Sequence, residues 1–417
     1  MKKVVTSGMI GNGLEWYDYA LYGQVAWLLS KLFFPEGDAF AQTLAVYGVF
    51  AAGFIVRPLG AVFFGWLGDR YGRRLSMVVA ILMMALPTGA IGLLPTYAEI
   101  GILAPILLIV IRLLQGMSLG GEFSGSIAYI VEHAPPHRRG LAGAASLVSM
   151  MLGFLLGLMV VKGMIYFIGE DAFEAWGWRV PFLAGIIIGL VGFYIRHHCG
   201  ESPAYEKAKE DGAISEKPVR HAFSRHRWQM VQGFAMYITV TMPFYLTTVY
   251  FIGFSKLHLE MDAEHALMFG IYNMLALLFA MPFSAWLSDH IGRRKVMIAS
   301  ALVMALMVYP LFGLMVPGAP PFTIGAVQFA FALVLGIYVG PVAAVLVELF
   351  PTSVRFSGMA ITYNLCAAIF GGTSPMVCEW LVGYFGDARA IAYYVIAGCI
   401  ASLTALFFYQ DRYKEPL

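Results

Sequence analysis

Charge is what this sequence has least of. Only 12% of its 417 residues are Asp, Glu, Lys or Arg, while 60% are hydrophobic. A soluble globular chain carries about a quarter charged residues. Half of that charge is missing, and with a mean hydropathy of +0.75 a solvated globule is excluded. The net charge is only +2, and the basic residues are not gathered on one helix, so there is no nucleic-acid footprint. Cysteine is scarce too. Cys199, Cys366, Cys378 and Cys399 have no paired spacing and three of them fall in apolar segments, so they read as small buried hydrophobes. No His/Cys cluster has metal spacing; His197, His198 and Cys199 sit at a membrane boundary beside Arg196. No GxxxxGK[ST] loop is present, so ATP is not the expected energy source. No cofactor is implied, and no catalytic motif points to an enzyme.

Long apolar runs fill the space that charge leaves. They fall at 5–33, 40–67, 75–96, 101–131, 141–168, 179–198, 228–257, 265–288, 296–316, 321–349, 357–385 and 389–410. Runs of about 20 residues are helical membrane spans, whereas barrel strands alternate over about 10. The expected fold is all-α and integral to the membrane, with 12 transmembrane helices. Nothing at the N-terminus reads as a removable signal peptide, because Asn12, Glu15 and Asp18 interrupt the first apolar run. With both termini inside, Lys and Arg crowd the cytoplasmic loops and only Lys31, Arg179, Lys256 and Arg389 fall outside. The longest polar stretch, 199–227, divides the chain into a six-span bundle at 1–198, a cytoplasmic linker and a second bundle at 228–417.

Two loop motifs recur. GWLGDRYGRR at 65–74 returns as AWLSDHIGRR at 285–294, aligning Asp69 with Asp289, Arg73 with Arg293 and Arg74 with Arg294. EHAPPHRRG at 132–140 returns as ELFPTSVRFSG at 348–358, aligning Glu132 with Glu348 and Arg139 with Arg355. Recurrence on the same side of the membrane is a parallel duplication, giving two pseudo-symmetric halves.

GWLGDRYGRR and its second copy resemble the loop signature of the major facilitator superfamily. GNGLEWYDYALYG, VRPLGAVFFGWLGDRYGRR, RLLQGMSLGGEFSGSIAYIVEHAP, VELFPTSVRFSGMAITYNL and FGGTSP narrow the resemblance to its metabolite:proton symporters. The resemblance covers the whole chain. It implies alternating-access uptake of a small carboxylate or a zwitterion such as proline or betaine, driven by proton entry across a bacterial inner membrane. The partners it implies are that substrate, protons and the lipid bilayer, with the chain read as a monomer. Some proline/betaine members carry a long helical extension linked to osmotic sensing. The tail here ends soon after span twelve, at DRYKEPL, and osmosensing is not expected.

The loop charges read as a gate. Asp69 with Arg73 and Arg74, Glu132 with Arg139, Asp289 with Arg293 and Arg294, and Glu348 with Arg355 can close the cytoplasmic side through pairs that break when it opens. Isolated surface pairs would contribute little; two matched sets favour gating.

The charges at membrane depth need a cavity or a partner. Glu15 and Asp18 lie one turn apart on span 1, so they share a face near Asn12 and Tyr22. Two close carboxylates raise each other's proton affinity. Arg57, at similar depth on span 2, is expected to pair with one of them. On span 4, Arg112 and Glu122 flank Gln115, and Arg112 can grip a carboxylate. These five charges are the expected proton-coupling set. Lys162 reads as snorkelling toward the outer surface. Substrate contacts are expected from Asn12, Tyr22, Arg112 and Gln115 in the first half and from Tyr237, Tyr245, Asn273, Tyr338, Tyr363, Asn364 and Glu379 in the second. An exporter of drugs or metabolites is the alternative within transport, but it would favour a wide apolar pocket. A transport-inactive nutrient receptor is the alternative outside transport, and it has no need of two intact gates.

Overall fold

The computed structural model describes residues 13, 16–17, 20–35, 37–71, 73–120, 127, 130–131, 134–197, 226–350 and 355–415. Helix dominates, and no strand occurs among the described residues. Eight of the described helices are long and apolar enough to cross a membrane. Two shorter apolar helices, Val78–Leu93 and Leu103–Ser118, fall within spans 3 and 4.

Local chemistry sets several helix limits. The Asp38 side chain accepts from the Phe40 N–H at the start of Ala39–Ile55, and Asp262 does the same for His265 at the start of Ala263–Ile291. Gly292 joins Ala263–Ile291 to Arg293–Phe312 with φ +100°, a left-handed geometry that a side chain would strain. That is the turn inside the second GRR motif. Its first-half counterpart, Gly72, lies outside the described residues.

The helices are not equally enclosed. The apolar window of span 7, Arg227–Leu257, is 94% buried, whereas that of span 9, Arg293–Phe312, is 39% buried. Span 7 therefore runs through the centre, while span 9 keeps apolar side chains such as Leu306 and Leu302 on the outside. Three π-turns occur among the described residues: within span 7 at Leu246–Tyr250, within span 11 at Ala367–Gly371, and at Phe173–Gly177 between spans 5 and 6.

Two antiparallel helix pairs join the first half to the second. Span 5, Arg139–Ile168, lies along span 8, Ala263–Ile291, over its full length. Lys162 Nζ meets Glu264 Oε1 at 3.0 Å at one end. The Gly140 and Leu141 N–H groups donate to Asp289 at 2.9 and 3.0 Å at the other. Span 2 meets span 11 in the same manner, with Phe40 against Gly383, Gly48 against Met376 and Phe54 against Gly372. The two halves thus touch at the face carrying the basic loops and at the opposite face.

Candidate functional site: a central aromatic cavity between two closed ends

Midway between the two faces lies a cavity of about 20 Å³, room for about one water. Five of its eleven lining residues are aromatic: Trp16 from span 1, Tyr237, Phe244 and Tyr245 from span 7, and Tyr363 from span 11. Thr241 adds a hydroxyl, which is turned back to the Tyr237 carbonyl at 3.1 Å. The rings lock one another. Tyr237 and Tyr363 meet edge to face at 5.3 Å, and Tyr245 meets Phe54 at 4.9 Å.

Arg57 stands against this wall. It is fully buried, donates from Nη1 to the Tyr363 hydroxyl at 3.3 Å, and places its guanidinium 3.9 Å from the Phe54 ring centre and 5.7 Å from that of Trp16. The span 2 cation therefore contacts the second half directly. Arg112 is fully buried too. It donates to Gln115 Oε1 at 2.9 Å and lies 4.3 Å from the ring centre of Tyr22. Gln115 passes the chain on to Thr88 Oγ1 at 2.6 Å, and Tyr22 donates to the Val46 carbonyl at 2.9 Å. Gln115 and Tyr22 thus position Arg112 one layer away from the cavity wall.

Other expected contacts are placed elsewhere. Asn273 donates to Gln328, which donates to Ser255, forming a polar chain inside the second half. Tyr338 donates to the Met236 carbonyl at 2.8 Å. Asn364 donates to the Gly120 carbonyl at 2.9 Å and ties span 11 to span 4. Glu379 lies toward the opposite end of span 11, bonded to His258 and Tyr250. Of the expected substrate contacts described, only Tyr237, Tyr245 and Tyr363 line the cavity. Asn12, Glu15, Asp18, Glu122 and Glu132 lie outside the described residues, as do the side chains of Asp69, Arg73, Arg74 and Arg355.

The basic face is closed by a buried ion cluster. Arg293 Nη1 meets Asp289 Oδ1 at 2.6 Å and Nη2 meets Glu348 Oε1 at 3.3 Å, with all three side chains at most 2% exposed. Asp289 also takes the two span 5 N–H groups. One carboxylate thus joins span 5, the span 8–9 turn and, through Arg293, span 10. Glu348 was expected beside Arg355; its described partner is Arg293. Arg139 donates to the Glu415 carbonyl at 2.6 Å, and Arg294 binds Asp411 and the Phe407 carbonyl, so the final segment is gathered into the same face. At the opposite face, Lys256 pairs with Glu170 and lies 4.4 Å from the Trp27 ring centre.

Sequence reasoning missed Trp16, Phe54, Phe244 and His258. Only Trp16 carried a usable signal, since it adjoins Glu15 in the polar stripe of span 1.

Residues 4–226 match the family model described as "Sugar (and other) transporter", and residues 262–417 match that of the Major Facilitator Superfamily. The chain is 33% identical to a glycine betaine/proline/ectoine/pipecolic acid transporter of Dickeya dadantii, over 100% of this chain and 85% of that protein. It is 31% identical to a proline/betaine transporter of Escherichia coli over the same shares. The chain belongs to the major facilitator superfamily. Its relatives place it with the metabolite:proton symporters. The solved D-xylose–proton symporter superposes with a TM-score of 0.77 at 22% identity, covering 98% of this chain and 97% of that one. The xylose transporter from E. coli in a partially occluded inward-open form gives 0.79 at 19% identity, covering 99% and 98%. Twelve transmembrane helices in two pseudo-symmetric bundles of six are the architecture of this fold. The protein is a multi-pass membrane protein and a secondary active transporter.

Proposed function

We propose that the protein imports a small zwitterion, of the proline or betaine kind, together with protons across a bacterial inner membrane. The carrying observation is the cavity with five aromatic side chains in its wall, one of which, Tyr363, accepts from Arg57. Trp16, Tyr237, Phe244, Tyr245 and Tyr363 offer ring faces to an alkylated ammonium group, which aromatic cages bind well when water is excluded. Arg57 donates to the Tyr363 hydroxyl of that wall, and its guanidinium suits a carboxylate. A zwitterion presents both groups. Relatives named for proline, betaine and ectoine support the same class.

The cavity is far too small for an amino acid as the helices stand, so the halves must part to admit one. The basic face is taken as cytoplasmic, with both termini there, by the excess of Lys and Arg in its loops. The Asp289–Arg293–Glu348 cluster then closes the cytoplasmic gate, and its first-half counterpart, Asp69 with Arg73 and Arg74, joins it. Glu15, Asp18 and Glu122, together with Arg57 and Arg112, carry the proton coupling. The chain works as a monomer of two bundles, 1–198 and 228–417, linked by 199–227.

Purified protein in liposomes tests this. An inward proton gradient should drive accumulation of proline or betaine with an inward current, and collapsing gradient and voltage should abolish both. Accumulation of di- or tricarboxylates alone would overturn the zwitterion assignment. Accumulation that is insensitive to the proton gradient would overturn symport.

A further inference from the structure

Glu379 sits on span 11 at 2% exposure, near the outer end and off the cavity wall. Its two oxygens lie 3.0 and 3.1 Å from His258 Nε2, and the Tyr250 hydroxyl donates to Oε2 at 3.2 Å. Tyr250 belongs to the π-turn of span 7, and His258 caps the outer end of that span. One carboxylate thus grips span 7 at two points.

That grip sets a contact between the halves. The Tyr250 ring lies 5.8 Å from the ring of Tyr47, on span 2. The Tyr47 hydroxyl fills the space beside Gly253, where a Cβ would come within 2.4 Å of it. His258 stacks on Phe254, and its side chain, 27% exposed, is the member of this cluster that reaches solvent. The other titratable groups around the carboxylate are Tyr47 and Tyr250, with Tyr22 behind Tyr47, and Cys378 on its own helix. Phenols and thiols ordinarily titrate above neutrality, whereas histidine titrates near it. The nearby cation Lys256 is held by Glu170.

We propose that Glu379 is an outward-facing proton site of the transport cycle, reached from the outer solution through His258, whose loading loosens span 7 from span 2. The inference rests on the reading of the chain as a proton-coupled importer. His258 takes a proton from the outer solution on Nδ1 and passes the Nε2 proton to Glu379, returning to neutral in its other tautomer. The neutral carboxyl then accepts more weakly from Tyr250, and the ring is released from its packing on Tyr47. Acid outside thereby favours opening to the outside, the sense that uptake needs.

Spin labels at Ala39→Cys and Glu260→Cys, both exposed and in opposite halves, report the outer gap in a cysteine-free background. Acidification from about pH 8 to about pH 5.5 should raise the open-to-closed ratio of the otherwise wild-type protein roughly tenfold, the scale of one charge-assisted hydrogen bond. Glu379→Gln should be open to the same extent at both pH values. His258→Gln should keep the two distances but move the midpoint. A wild-type response retained in Glu379→Gln, or no response in the wild type, overturns the proposal. His258→Gln decides the port if Glu379→Gln fails to fold, since an unmoved midpoint refutes it. Proton-driven uptake measured alongside tests the symport reading separately, because the distances need no transport.

Discussion

Asp289→Asn puts the closure of the basic face to a quantitative test. The wild-type carboxylate accepts three hydrogen bonds, from the Gly140 and Leu141 N–H groups and from Arg293 Nη1. Gly140 and Arg293 share Oδ1 while Leu141 takes Oδ2, so an asparagine oxygen can keep two of them, and its NH2 then confronts the Leu141 N–H. Arg293 retains Ser288 Oγ at 2.9 Å and Glu348 at 3.3 Å, and meets an uncharged amide in place of the carboxylate. A hydrogen bond to a charged group contributes about 1.5–3 kcal/mol, so losing the one from Leu141 costs at least about 1.5 kcal/mol, roughly tenfold in the closed-to-open ratio. Labels at His137→Cys, in the 3-10 turn that leads into span 5, and at Lys295→Cys on span 9, both exposed, should shift population from one short distance toward a longer one by double electron–electron resonance. Turnover should fall while substrate affinity changes much less, because Asp289 lies far from the cavity. An unchanged distance distribution with normal turnover would refute the closure argument.

Gly116→Ala would place a Cβ 1.8 Å from the Gly53 carbonyl oxygen, so overpacking should cost about 1–3 kcal/mol and lower the unfolding temperature. Gly163→Ala, which meets nothing within 4 Å, is the matched control and should not. Tyr237→Leu should raise the KM for betaine by about tenfold through loss of a ring face, with a smaller effect on a substrate lacking an ammonium group; equal effects on both would argue against the cage. Arg389 donates to Asp387 from its side chain and then its backbone, which holds that carboxyl below the usual carboxylate range. The pair therefore stabilises the fold above the ordinary carboxylate pKa and loses that contribution as pH falls through the lowered value. Thermal unfolding of Asp387→Asn should differ from wild type at neutral pH and converge with it in acid.

How far the sequence could be read depended on the distance between partners. Asp289, Arg293 and Gly292 were legible because they stand within five residues and repeat a first-half motif. The turn geometry and the ion pair follow from that local pattern. Glu348 was legible as a charge of the repeated basic loops but not in its choice of Arg293, since that depends on how span 10 leans on the span 8–9 turn. The contacts of Arg57 with Tyr363, Glu379 with His258 and Lys162 with Glu264 join segments more than a hundred residues apart, and no periodicity encodes them. The aromatic cavity was hidden by abundance. With 31 Phe and 22 Tyr in the chain, an aromatic in a membrane span carries almost no positional information until the helices are packed.

The π-turn of span 7 separates Tyr245, which lines the cavity, from Tyr250, which answers to Glu379. A π-turn accommodates one extra residue in a helix, and each residue of an α-helix advances about 100° around its axis. Moving that extra residue along the span would rotate the segment between its old and new positions while the helix on either side kept its orientation. Span 7 can therefore act as a crankshaft rather than a rigid rod, turning a ring in the cavity and a ring near the face opposite the basic loops in a fixed order without tilting a whole bundle.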